Sequence, residues 1–103
     1  MIKVNIVKKQ GLYESITING HAMYDDFGKD IVCSAASSIV TTSINSIIAL
    51  DKDGLKYEVA SGDVSITNIK NDTTITKLLN VLENMLEELA KDYPENIKIS
   101  KED

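Results

Sequence analysis

The chain carries one cysteine, one histidine, one proline and no tryptophan among its 103 residues. A single cysteine excludes an internal disulfide and a multi-cysteine metal site. A free thiol fits a reducing cytoplasm. Positive charge is in short supply: 11 Lys and Arg stand against 16 Asp and Glu, for a net charge of −5. That balance argues against a surface built to neutralise phosphates. No lysine-rich run or interleaved aromatic stripe gives nucleic acid another handle. The N-terminal stretch MIKVNIVKKQG lacks the longer apolar run of a signal peptide. There is no internal linker and no low-complexity segment, so residues 1–103 are expected to form one domain.

What remains is an ordinary globular composition, 43% hydrophobic and 26% charged, which argues against disorder. Ile31 to Leu50 runs without a charge for the length of a membrane span. Ser34, Ser37, Ser38, Thr41, Thr42, Ser43, Asn45 and Ser46 make it too polar for insertion, so a helix buried in protein is the better reading and no membrane partner is expected.

The apolar residues alternate in IKVNIVKK and again in YESITIN, with KQG as a turn between them, which predicts a hairpin. From Ile31 the period changes to three and four, through Ala35, Ala36, Ile39, Val40, Ile44, Ile47 and Ile48. This predicts a helix that tertiary burial must hold, because β-branched residues are mediocre helix formers. Asp30 is placed to cap it, accepting from the amide of Cys33. LKYEVASG and DVSITNIK predict a second hairpin around Ser61 to Asp63. Ile75, Leu78, Leu79, Leu82, Met85, Leu86 and Leu89 form an apolar helical stripe read as core. Asp72 or Thr73 caps that helix and Pro94 closes it. NIKIS supplies a last strand. The order ββαββαβ predicts an α+β domain, a mainly antiparallel sheet with two packed helices.

The only histidine, His21, and the only cysteine, Cys33, stand twelve positions apart around a loop bearing Gly20, Asp25, Asp26 and Gly28. A cysteine attacks as thiolate, and its free pKa near ~8.5 leaves little of that form at neutral pH. A first-turn position would favour the anion through the helix dipole and offer free amides as an oxyanion hole. An imidazole can take the thiol proton, and His21 is the only one in the chain. Ser37, one helical turn after Cys33, could hydrogen-bond a substrate or back-bond to a helical carbonyl. Against this stand plainer readings: a lone cysteine among Ile, Val and Ala is often a small buried hydrophobe, and a lone histidine beside glycine often a loop residue. A metal site from His21, Asp25 and Asp26 is a weaker reading still, and no metal or cofactor is expected.

GHA at Gly20 to Ala22, followed by GKDIVCSAAS at Gly28 to Ser37, resembles the signature of the ribosomal-processing cysteine proteases (Prp). The likeness extends to length and element order. Ser34 stands where many members carry Ala. The resemblance implies a cytoplasmic, homodimeric endopeptidase that removes the N-terminal extension of ribosomal large-subunit protein twenty-seven, near an aromatic pair followed by Ala. It implies His21 as general base and Cys33 as nucleophile, with Gly20, Asp30 and Ser37 supporting, and the loop from Met23 to Lys29 as a mobile cover. The competing expectation is a non-catalytic ribosome-assembly binding module. A thiol redox sensor is a third reading, and it would need a resolving cysteine from another chain.

Overall fold

The computed structural model describes residues 1–20, 27–60 and 62–103, and of residues 27–30 the backbone alone. The elements are β1 (Ile2–Lys9), β2 (Leu12–Asn19), α1 (Phe27–Leu50), β3 (Lys56–Ala60), β4 (Asp63–Thr67), α2 (Thr73–Asp92) and β5 (Ile97–Glu102). This is the predicted ββαββαβ order. The five strands form one sheet in the order β3-β4-β2-β1-β5. Three neighbouring pairs are antiparallel, and β5 lies parallel to β1. A parallel neighbour needs a crossover, and α2 supplies it.

Local chemistry accounts for the turns. Gln10 and Gly11 both have positive φ, 54° and 80°, the requirement of the two-residue turn whose twist matches a hairpin. In β2 an extra residue, Glu14, interrupts the register between Val7↔Ser15 and Lys8↔Tyr13. Such a bulge flips the alternation, and it returns Tyr13 to the core face beside Ile16 and Ile18. Asp72 caps α2, accepting from the Ile75 amide at 2.8 Å. Tyr93 ends the helix, its amide donating to the Leu89 carbonyl, just before Pro94.

One face of the sheet presents Ile2, Val4, Ile6, Ile16, Ile18, Val64, Ile66 and Ile97 to a single core. Val32, Ala36, Val40, Ile44 and Ile47 of α1 and Ile75, Leu79, Leu82 and Leu86 of α2 cover it. Ile31–Leu50 is long and apolar enough to cross a membrane by length and composition. In this fold one stripe of it is buried and the other side is open, with Ile31 and Leu50 exposed. Met85, expected in the core, is 46% exposed. It sits at the flank of the α2 stripe, beside Val81 and facing Ile39 and Ser43 across a shallow groove between the helices.

Gly54 follows α1 where space is tight. A Cβ there would meet Ile75 Cδ1 at 2.9 Å and both Asp51 O and Ile47 Cγ2 at 3.0 Å, so any larger residue would push these neighbours aside. At the far end of the sheet, Glu83 is nearly buried and collects three donors. Tyr13 Oη donates at 2.6 Å, Lys101 Nζ lies at 2.9 Å and Lys8 Nζ at 3.4 Å. Burial pushes the Glu83 carboxyl up, but Tyr13 and the two lysines outweigh it and hold it below the usual value. Burial and the Glu83 carboxylate push the Tyr13 hydroxyl far up.

Two expectations about α1 are corrected. The helix begins at Phe27, so Asp30 is its fourth residue and not its cap. Gly28 and Lys29 belong to the first turn rather than to a covering loop. A glycine costs about 1 kcal/mol relative to alanine in a helix, too little to stop a 24-residue helix that packs against a sheet.

Candidate active site

Sheet register builds the site. Because β1 and β5 run parallel, with Ile2 opposite Ile97, their starts share one end of the sheet. β2 runs antiparallel to β1, with Lys3 opposite Asn19, so its end arrives at the same place. Met1, Gly20 and Asn96 thereby meet although they are far apart in sequence. The Ile2 amide donates to the Asn96 carbonyl at 2.8 Å. The second turn of α1 passes over this corner and brings Val32 and Cys33 to it. The result is a cleft of about 100 Å³ lined by Met1, Ile2, Gly20, Val32, Cys33, Glu95 and Asn96.

Gly20 has φ +83°, and a Cβ on it would lie 2.7 Å from the Met1 carbonyl oxygen. Its amide donates to Asp63 Oδ1 at 3.0 Å. These contacts fix the point and direction at which the chain leaves β2, one residue before His21. His21 lies outside the described residues, as do Asp25, Asp26 and the start of the expected covering loop. Cys33 is half-buried. Ser37, one turn on, lines a second hollow of about 110 Å³ with Ile18, Ala36, Val40, Thr41, Val59 and Val64.

Cys33 is the seventh residue of α1, beyond the first turn that was expected to hold it. The helix dipole acts mainly within that first turn, and only the first four amides lack intrahelical acceptors. Dipole and free amides therefore offer Cys33 less than the sequence promised. Among the described residues, no group of His, Cys, Asp and Glu is arranged to hold a metal ion.

Sequence reading missed Met1, Asp63, Glu95 and Asn96. Nothing local marks them; they reach the site only through strand register. Among the described residues, the groups with shifted titration are Tyr13, Glu83 and Lys101 at the opposite end of the sheet and the Asp51–Lys70 pair after α1, none of which lines the cleft.

The family model for cysteine protease Prp matches residues 1–98. The ribosomal processing cysteine protease Prp of Staphylococcus aureus is 31% identical over 106 residues, covering 97% of this chain and 98% of that protein. A crystal structure of that S. aureus protease in complex with a substrate peptide superposes with a TM-score of 0.90 at 26% identity, covering 98% of this chain and 99% of that one. A second, with a covalently linked product peptide, gives 0.87 at 28%, with the same coverage. With its cysteine set in a cleft at the sheet end and the match running from β1 through both helices to the start of β5, the chain belongs to the Prp family of cysteine proteases.

Proposed function

We propose that this cysteine protease removes the N-terminal extension of ribosomal large-subunit protein twenty-seven, with Cys33 as nucleophile and His21 as general base. The Cys33 thiolate attacks the scissile carbonyl, the C–N bond breaks, and the imidazolium gives its proton to the leaving amine. Water, deprotonated by the same imidazole, then cleaves the thioester and restores the thiol. The observation that carries this reading is that Cys33 and Gly20, the residue before His21, line one cleft. The solved S. aureus relative holds a covalently linked product peptide, in keeping with a covalent intermediate. The net charge of −5 suits a basic substrate, since proteins that bind ribosomal RNA carry excess Lys and Arg. The same reading makes the enzyme a cytoplasmic homodimer.

The test is cleavage of the extended ribosomal protein by the purified chain. A two-fragment product is expected, lost on thiol alkylation and in Cys33→Ala and His21→Ala, each with an unchanged circular dichroism spectrum. Stoichiometric binding without cleavage by the unmodified chain would establish a binding module instead.

A further inference from the structure

The cysteine cleft holds one unpaired negative charge. Of the side chains that line it, Glu95 alone is charged. Elsewhere in the chain Glu14, Asp51, Glu83 and Glu87 each meet a lysine. Glu95 does not: it is exposed and makes no ion pair among the described residues.

Its backbone, by contrast, is firmly held. The Tyr93 carbonyl accepts from the Asn96 amide at 2.9 Å and from the Ile97 amide at 3.2 Å, closing a tight turn with Pro94 and Glu95 at its centre. Proline fixes its own φ and suits the second place of such a turn. The Tyr93 amide ties the turn to α2 through the Leu89 carbonyl, and the Asn96 carbonyl ties it to β1 through the Ile2 amide. A charge mounted on a rigid element loses less freedom on binding. The sheet order then places it. β2, β1 and β5 are neighbours, so Gly20 stands at one end of the cleft and Glu95 with Asn96 at the other, two strand spacings or roughly 10 Å apart. An extended peptide advances about 3.3 Å per residue, so one lying across the strand ends covers this span in about three residues.

We propose that Glu95 is a specificity-determining residue of the protease and pairs with a lysine or arginine in the first three residues after the scissile bond. The inference rests on the peptidase reading above and adds to it the substrate charge that the cleft selects. The side of the bond follows from the reaction. An N-terminal extension is cut from a protein that binds RNA, so the basic residues belong to the part that is kept. A carboxylate in the same cleft as a thiolate repels it, and a substrate cation offsets that repulsion. An exposed pair of this kind contributes little, enough for a bias rather than an absolute requirement, and salt weakens it.

The experiment uses peptides spanning the cleavage site of the extended ribosomal protein, with Lys, Gln or Glu at each of the three positions before and after the scissile bond. At low salt the unmodified enzyme is expected to favour Lys over Glu about fivefold in kcat/KM at one or more positions after the bond, with Gln between them. The spread should narrow at about 0.5 M salt. Glu95→Gln is expected to bring the three peptides to within about twofold of one another, and Glu95→Lys to reverse their order. Thermal midpoints confirm that both variants fold; if Glu95→Lys does not, the levelling in Glu95→Gln decides alone. Equal cleavage of all three peptides by the unmodified enzyme overturns the proposal but leaves the peptidase reading intact. An order that survives unchanged in the variants assigns the preference to another group and also overturns it, as does an order found only before the bond. Failure of the unmodified enzyme to cleave any member sinks both readings.

Discussion

Gly20 and Met1 touch so closely that no other residue fits between them: a Cβ on Gly20 would sit 2.7 Å from the Met1 carbonyl oxygen, on a backbone at φ +83°. The left-handed conformation alone costs an L-residue about 1–2 kcal/mol, and the clash adds to it. Gly20→Ala is expected to destabilise by about 2 kcal/mol or more and to lower the melting temperature by roughly 10 °C. Because Gly20 lines the cleft with Cys33 and directly precedes His21 in sequence, cleavage measured well below that melting temperature should fall at least tenfold. A variant that keeps full kcat/KM would show that the backbone of residue 20 does not matter to cleavage.

Asp30 lies within α1, three residues before Cys33, and so is not the cap that the sequence suggested. Loss of a true cap typically costs about 1 kcal/mol. Asp30→Ala should therefore leave the melting temperature nearly unchanged. If the carboxylate instead orients the imidazole, the same variant lowers kcat about tenfold and moves the acidic limb of the rate profile. A drop in melting temperature of several degrees with full activity would restore the capping role.

Asp72 provides the contrast, because its carboxylate does accept from the Ile75 amide at 2.8 Å. Asp72→Ala is expected to cost about 1 kcal/mol, read as a lower urea midpoint with unchanged slope. Activity at low denaturant should be unaffected, since α2 begins far from Cys33.

The Glu83 cluster predicts how stability follows acid. Its carboxyl is held below the usual 4.5 in the folded chain. The contribution is therefore complete above pH 4.5 and is lost as pH falls through the depressed folded value. Tyr13→Phe removes one donor to this carboxylate and should cost about 1.5 kcal/mol at pH 7. The cost shrinks once the carboxyl is protonated. Urea titrations at pH 7 and pH 3 measure both, and an equal cost at the two values would refute the charge-assisted bond.

Much of the fold was legible because each strand of the first hairpin and each helix carries its own period. The start of α1 was not. Gly28 reads as loop and Asp30 as a cap when only neighbours are considered, yet a long helix packed on a sheet absorbs one glycine. β3 misled in another way: Tyr57 and Val59 alternate like any half-buried strand, and the sequence cannot say that the helix layer stops short of them. His21, Cys33 and the Gly20 turn stood out as rare residues in one short stretch. The remaining walls, Met1, Glu95 and Asn96, become neighbours only once β5 has paired with β1. The Tyr13–Glu83 bond was equally hidden, since it depends on the bulge at Glu14.

The parallel pairing of β1 with β5 has a consequence for when the enzyme becomes active. Its cleft needs Met1 and Asn96 side by side, and the polypeptide between them must be made and threaded through α2 first. A chain in which β5 has not yet docked on β1 has a cysteine but lacks the Glu95 and Asn96 walls of its cleft. The cleft is therefore a product of the completed sheet: the stretch that carries the cysteine cannot form it alone.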